Sequence, residues 1–156
     1  MKKEDEIDTR LVICFCPEYF CHPIADALSK LPDNVFDFVA EKCVFVSQEI
    51  ARADSPGQMS FYLNFRDPRL KNKSGIIVLN SFLFSRQPRD IAFTVAHEVA
   101  HCLNDDIPPW VTNPLLSEKD MLKNEIRADK LAVKWLSKHY KESALMKRCR
   151  YWKKGG

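Results

Sequence analysis

The pentapeptide His97-Glu98-Val99-Ala100-His101 has residue types and a spacing that are typical of metal-assisted hydrolysis. Residues four apart lie on the same face of an α-helix, so His97 and His101 can present two imidazoles to one metal ion. Glu98 is one position further round and can accept a proton from a nearby water without ligating the metal. Since zinc lowers the pKa of a water that it holds to about 7, the pattern predicts zinc-dependent cleavage of a peptide bond.

A pair of acidic residues in a later helix is predicted to complete this site. A catalytic zinc ion takes three protein ligands and keeps a fourth position open. Glu125 and Asp129 fall on the apolar stripe of that helix, which also contains Met121, Leu122, Ala128, Ala132, Trp135 and Leu136. Carboxylates are rarely buried unless they are paired or bind a metal. We therefore predict that Glu125 is the third ligand and that Asp129 accepts a hydrogen bond from a ligating histidine.

The sequence leaves other roles open for these and neighbouring side chains. Asp129 can be the direct ligand with Glu125 in support, or one of the two can form an ion pair with Lys123, Arg127 or Lys130. Asp105 and Asp106 do not have a ligand spacing, and we interpret them as loop residues that end the HExxH helix. A hydrolytic reaction also needs a hydrogen-bond donor for the oxyanion, and the candidates are Tyr62, His139 and Tyr140.

Composition places the chain among ordinary globular domains. It has 156 residues, of which 46% are hydrophobic and 29% charged, and a formal net charge of +3. We predict one domain over residues 1–156, with 1–9 and 147–156 as loosely ordered ends. No apolar run approaches the roughly 20 residues that cross a bilayer, which predicts a cytoplasmic protein without membrane association. The charge is too small to indicate nucleic-acid binding, and a solvated tail explains the basic residues after position 146.

Six cysteines lie at positions 14, 16, 21, 43, 102 and 149. Because the sequence shows no secretory signal, free thiols are a better interpretation than disulfide bonds. An alternative is a second metal site formed by Cys14, Cys16, Cys21 and His22. Structural zinc sites usually combine two separated pairs of ligands, so we interpret this bunched group as free thiols on a strand and a turn.

The first third of the chain is predicted to contain a strand and two helices. Residues 10–16 are expected to form a short apolar strand or simply an extended arm, and Pro23 is expected to open a helix that ends near Leu31. Asp33 caps a second helix. Helical spacing predicts that this second helix extends to Ile50, with a core face formed by Phe36, Val39, Cys43, Val46 and Ile50.

Two strands and two long helices are predicted to surround the candidate site. Alternation over 59–65 predicts a half-buried strand, and the apolar run 76–79 predicts a strand antiparallel to it. The helix over 88–103 is apolar almost all round, so it must be central and buried. Ser117 begins a capping box for a helix that extends to about Tyr140.

Residues 75–137 resemble the ImmA/IrrE family of zinc peptidases. The resemblance depends on Arg89, on Phe93-Thr94 and Ala96 leading into the HExxH motif, and on a second motif over 125–132, Glu-Ile-Arg-Ala-Asp-Lys-Leu-Ala. The strand Gly-Ile-Ile-Val-Leu-Asn before the helix is also similar. Two residues depart from the family pattern: Ala100 stands where glycine is frequent, and Leu131 where an aromatic residue is usual.

The resemblance implies the same roles as the residue-level argument: His97, His101 and Glu125 hold the metal, and Glu98 is the base. It also implies cleavage of a regulatory protein such as a helix-turn-helix repressor, in phages, mobile elements or stress responses. Since the sequence shows no DNA-binding module, such a repressor would be a separate chain. A different class of function is a non-catalytic, zinc-stabilised regulator that binds a partner.

The expected fold is α+β and zincin-like, with a small antiparallel sheet packed on a helical core that carries the HExxH helix. We further expect the strand at 76–80 to lie along the cleft and to pair with an extended substrate backbone.

Overall fold

The computed structural model describes residues 12–14, 18–48, 61–64, 75–106 and 117–153. In these ranges the protein is α+β and mostly helical. Its strands are β1 (Val12–Cys14), β2 (Cys43–Gln48), β3 (Phe61–Asn64) and β4 (Gly75–Asn80). Its helices are α1 (Glu18–Ser29), α2 (Asp33–Lys42), α3 (Pro88–Asn104), α4 (Glu118–Leu136) and α5 (Glu142–Met146), with a 3₁₀ helix at Ser81–Ser85. None of these helices is long and apolar enough to cross a membrane.

The four described strands form one mixed sheet in the order β1-β2-β4-β3. β1 pairs with β2 and β2 with β4 in parallel, and β3 pairs with β4 antiparallel. The predicted antiparallel sheet is therefore wrong, although the strands at 61–64 and 75–80 do pair in that sense. The parallel part arises because helices connect β1 to β2, and such crossovers return the chain in the same direction.

β4 is an interior strand of this sheet. All six of its residues pair with β2, and Gly75–Val78 also pair with β3. Most of its backbone groups are thus already hydrogen-bonded on both sides. The prediction that residues 76–80 pair with an extended substrate is therefore wrong, because a substrate strand requires an open edge.

The helix predicted to extend to Ile50 ends at Lys42 instead, and the chain passes directly into β2. Cys43, Val44 and Phe45 are buried. The spacing that indicated a helical face also fits an interior strand, since a strand covered on both faces shows no alternation. Parallel pairing with β1 and β4 makes this segment a strand rather than a continuation of α2. Ile50 lies outside the described residues.

The boundaries of the first two helices also differ from prediction. α1 begins at Glu18, so Pro23 lies inside it rather than opening it. Pro32 is the N-cap residue of α2, and Asp33 is the first residue of that helix. Asp33 still stabilises the helix because an acidic side chain in the first turn complements the helix dipole.

α3 is the central helix of the fold, as predicted from its apolar composition. Pro88 occupies its first turn. Nine of its side chains are buried, and all of them except Glu98 join a core that also includes residues of α1, α2, β2, β4 and α4. A helix enclosed on nearly every side holds its few polar side chains in defined positions, which suits a binding site.

α4 packs beside α3 and begins at the predicted cap. The Ser117 hydroxyl accepts a hydrogen bond from the Asp120 amide at 3.2 Å. The helix ends at Leu136, four residues before the predicted Tyr140. The expectation of a loose end from residue 147 does not hold over 147–153, because Cys149 is buried and this segment hydrogen-bonds to α4. Residues 1–9 and 154–156 lie outside the described residues.

Candidate metal centre

The two histidines of the HExxH motif converge on one point at the surface of α3. Their Nε2 atoms are 3.1 Å apart, and the ring planes are nearly perpendicular. Both side chains are 12% exposed, so a ligand between them would be shielded but reachable. The one-turn spacing of His97 and His101 accounts for this approach, as predicted.

Glu125 extends from α4 toward the same point. Its Oε2 atom is 3.1 Å from His97 Nε2 and 3.5 Å from His101 Nε2. One donor atom of each residue lies within 4.8 Å of the others, a separation at which all three could hold one metal ion. The three predicted ligands thus come together, although His101 and Glu125 are 24 residues apart in sequence.

Asp129 lies on the opposite side of the His97 ring from this cluster. Its Oδ1 atom is 2.9 Å from His97 Nδ1. Its Oδ2 atom accepts hydrogen bonds from the backbone amides of Tyr151 and Trp152, each at 3.0 Å. Asp129 therefore orients the ring and directs Nε2 toward the cluster, as predicted, and its position does not favour the alternative of direct ligation.

Asp106 plays the same part for His101, and its interpretation from sequence as a mere loop residue is therefore wrong. Its Oδ2 atom is 2.9 Å from His101 Nδ1. Asp105 adopts a left-handed conformation (φ 55°, ψ 41°), which turns the chain back at the end of α3. The Asp106 amide then donates to the His101 carbonyl oxygen at 3.1 Å. The signal in the sequence that could have indicated this turn is Asp105 at the end of the helix. Aspartate tolerates the left-handed conformation better than most residues other than glycine.

The ion pair considered for Arg127 is formed with Asp106 rather than with Glu125 or Asp129. The Arg127 guanidinium donates to Asp106 Oδ1 and, at 3.2 Å, to Asn124 Oδ1. Lys123 lies 3.7 Å from Asp120, and Lys130 lies over the ring of Trp152. None of these cations neutralises the carboxylates on the α4 stripe, which keeps those carboxylates available to the histidines.

The charges of the cluster favour a bound cation. Burial alone would lower the pKa of His97, but hydrogen bonds to Asp129 and Glu125 outweigh it and raise that pKa to about 10. For His101, hydrogen bonds to Asp106 and Glu125 likewise overcome burial and raise the pKa to about 9. Burial would raise the pKa of Glu125, but the two histidines lower it to about 2.

Glu98 is the fourth carboxylate of the site. It is buried, and this burial raises its pKa above the usual value of 4.5, although the charges of His97 and His101 act in the opposite sense. Four carboxylates (Glu98, Asp106, Glu125 and Asp129) therefore surround two imidazoles, and Arg127 pairs with one of them, Asp106. Such a set of charges accommodates either a proton on each of the two imidazoles or one divalent metal ion. The residues therefore fit the zinc ion that the sequence predicts.

The oxyanion candidates from the sequence do not meet at this cluster. His139 is exposed and Tyr140 half-buried, and both follow the last residue of α4. At 1.5 Å per residue, Leu136 is already about 16 Å along the helix from Glu125. The side chain of Tyr62 lies outside the described part of the structure. Of the alternative second metal site, Cys16 and the side chain of Cys14 also lie outside that part, and Cys21 is a free thiol.

A scan against protein-family models, a search of curated proteins and a search of solved structures each found no match to this chain. The resemblance to the ImmA/IrrE peptidases therefore stays a prediction.

Proposed function

We propose that this protein is a zinc-dependent endopeptidase. The observation that carries the proposal is the convergence of His97, His101 and Glu125, with a buried glutamate one residue from the first ligand. Two imidazoles and one carboxylate are the ligand set of many catalytic zinc sites, and they leave a position open for substrate. The same donors also suit iron, but the i, i+4 histidines with an intervening Glu98 favour zinc.

In this proposal each residue of the site has a separate role in hydrolysis. His97, His101 and Glu125 would hold the ion, while Asp129 and Asp106 fix the orientation of the two imidazoles. Bound zinc would supply the positive charge that acidifies water and polarises the scissile carbonyl. Glu98 takes the proton of the attacking water and passes it to the leaving amine. Its burial suits this role, since a carboxylate with a raised pKa is a better base near neutral pH.

The substrate class in this proposal is a regulatory protein of the same compartment, such as a helix-turn-helix repressor on a separate chain. The support for it is the second motif over 125–132, which resembles the ImmA/IrrE pattern. The placement of the protein in the cytoplasm and in a phage or other mobile element belongs to the same proposal. No described residue outside the metal centre argues for a particular repressor.

The test compares wild-type protein with Glu98→Gln, using zinc content and cleavage of labelled casein. We expect about one zinc per chain in both proteins. We expect cleavage by the wild type and a loss of at least about 100-fold in the variant, because the base is gone while the ligands remain. Glu125→Ala is the matched control, and it should lose zinc and activity together.

Two outcomes would contradict the proposal in different ways. Zinc in both proteins with no cleavage by either would favour the non-catalytic, zinc-stabilised regulator. No zinc in the wild type after supplementation would remove the metal centre itself.

A further inference from the structure

Two buried cysteines meet near the end of the helix that carries the metal centre. Cys43 is the first residue of β2, and Cys102 lies in the last turn of α3, directly after His101. Both side chains are buried thiols. Their Sγ atoms are 2.8 Å apart, although the residues are 59 positions apart in the sequence. Neither sulfur belongs to the predicted ligand set, so the contact is a separate feature of the fold.

Backbone hydrogen bonds hold each of the two thiols in place. The Cys43 amide donates to the Val39 carbonyl oxygen at the end of α2, and Cys43 pairs with Gly75 of β4. The Cys102 carbonyl oxygen accepts a hydrogen bond from the Asp105 amide at 3.2 Å. Because both backbones are constrained and the surrounding core is close-packed, the two sulfurs stay in contact while the protein is folded.

The separation of the sulfurs is close to that of a covalent bond. The S–S length of a disulfide is about 2.05 Å, so its formation requires the two sulfurs to approach by less than about 1 Å. Cys149 offers a contrast, because it is also buried but its Sγ atom lies 3.8 Å from the Leu145 carbonyl oxygen. The adjacent second thiol matters chemically, since a cysteine oxidised to sulfenic acid condenses with a neighbouring thiol.

We propose that Cys43 and Cys102 are an oxidative modification site, at which hydrogen peroxide converts the two thiols into an intramolecular disulfide. This inference is independent of the proposed peptidase function. The bond would join the start of β2 to the last turn of α3. The same turn leads to Asp106, whose carboxylate contacts His101, so the disulfide would anchor the support of His101 to the sheet.

The reaction balances with hydrogen peroxide as the one co-reactant. The sulfur of Cys102, the more exposed of the two at 5%, attacks one peroxide oxygen. An S–O bond forms, the O–O bond breaks, and the departing hydroxide takes the thiol proton to become water. The sulfur of Cys43 then attacks the sulfenic sulfur, the S–O bond breaks, and the second hydroxide leaves as water with the Cys43 proton. The two thiols lose two electrons, and the peroxide gains them.

The first experiment locates the bond by mass spectrometry. Folded wild-type protein is treated with hydrogen peroxide, then with catalase, and is unfolded in N-ethylmaleimide to block the remaining thiols. Trypsin places Cys43 in the peptide 43–52 and Cys102 in the peptide 90–119, each with one cysteine. We expect these peptides to be linked on a monomeric chain, about 2 Da lighter than their sum, and to be separated by dithiothreitol.

Two variants test whether the link depends on this pair. Cys43→Ala should yield no linked peptide and should leave Cys102 without a resolving thiol. Cys149→Ala is the matched control, because it removes a buried thiol whose sulfur lies against a backbone carbonyl oxygen. It should form the link between 43–52 and 90–119 to the same extent as the wild type.

Thermal unfolding reads the consequence of the bond without a variant. Because a disulfide across 59 positions restricts the unfolded chain, the Tm of peroxide-treated wild type should rise by at least about 5 °C. Dithiothreitol should reverse this rise. Peroxide-treated Cys43→Ala should show no rise that dithiothreitol reverses.

Three outcomes would overturn the inference. The first is full blocking of Cys43 and Cys102 by N-ethylmaleimide after peroxide treatment of the folded wild type. The second is a link between these peptides that forms only when peroxide is added in denaturant, because the contact made by the fold would then play no part. The third is a link accompanied by a lower Tm, which would show that the folded protein does not hold the sulfurs in position for a bond.

Discussion

The two histidines of the candidate metal centre have supports of different construction. Asp129, which holds His97, comes from the middle of α4, is almost fully buried and accepts two backbone amides as well as the imidazole. Asp106, which holds His101, follows a left-handed turn and is anchored by Arg127, whose side chain is 49% exposed. The support of His97 therefore consists of buried groups, whereas the support of His101 combines a buried carboxylate with a half-exposed guanidinium.

The support of His101 is therefore the more adjustable of the two. Backbone amides of a packed segment keep their positions, whereas an exposed guanidinium can exchange its partner for water at little cost. We therefore expect substitutions on the His97 side to affect both the fold and the metal, and those on the His101 side to affect mainly the metal.

The largest expected effect is the pH dependence of zinc binding, which tests both supports together. In the metal-free protein the pKa values of His97 and His101 are about 10 and about 9, so both rings carry a proton at neutral pH, while Glu125, at about 2, stays ionised. Zinc must displace two protons, so its affinity should rise about 100-fold per pH unit between about pH 6.5 and 8. Calorimetry in buffers of different ionisation enthalpy should measure about two protons released.

The same values predict the stability of the metal-free protein. Because the histidine pKa values are raised in the folded state, their stabilisation is complete below about pH 6.5 and is lost as the pH rises through 9 and 10. The Tm in the presence of a chelator should therefore fall between pH 7 and 10, and the zinc-loaded protein should lack this decrease. Release of no protons on zinc binding would contradict both expectations.

The next effect in size is that of Asp129→Ala. Removal of this buried carboxylate leaves the His97 ring and the amides of Tyr151 and Trp152 without their acceptor. We expect a loss of about 3 kcal/mol or more in the free energy of unfolding, and zinc affinity weakened about 100-fold. Urea denaturation and competition with a zinc chelator measure the two effects. Asp129→Asn is the control, since its amide oxygen can still accept from His97.

The smallest effect is expected for Asp106→Ala. Zinc affinity should weaken about tenfold, because His101 loses the group that orients its ring. The free energy of unfolding should fall by less than in Asp129→Ala, because Arg127, the other partner of Asp106, is half-exposed and can turn to solvent. A loss of stability equal to that of Asp129→Ala would show that the two supports are equivalent and would contradict the distinction drawn between them.

Prediction from sequence succeeded where the controlling interactions are local or periodic. The positions of His97, His101 and Glu98 on one helix follow from the i, i+4 rule, and Glu125 and Asp129 were recognisable as carboxylates on an apolar stripe. The cap at Ser117 and the helix start at Pro88 are likewise local. Each of these depends on residues within about one helical turn.

Prediction failed where distant segments decide between local alternatives. The spacing over 36–50 fits a helix, but pairing with β1 and β4 makes residues 43–48 a strand. From sequence, Asp106 was interpreted as an ordinary loop residue. In the structure, the left-handed turn at Asp105 places its carboxylate beside the His101 ring. The basic segment 147–153 was predicted to be a solvated tail. Its composition does not indicate that two of its backbone amides donate hydrogen bonds to Asp129.

The amino-acid sequence alone indicates the groups that form the site: two imidazoles one turn apart, a neighbouring glutamate, and two carboxylates on the buried face of another helix. Those relations are set by helix geometry, which is the same in any fold. The tertiary structure was needed to establish that β4 is interior, that Asp106 and Arg127 support His101, and that the Tyr151 and Trp152 amides bind Asp129. These depend on the mutual placement of segments far apart in the chain, which is fixed by the packing of the whole core rather than by any one segment.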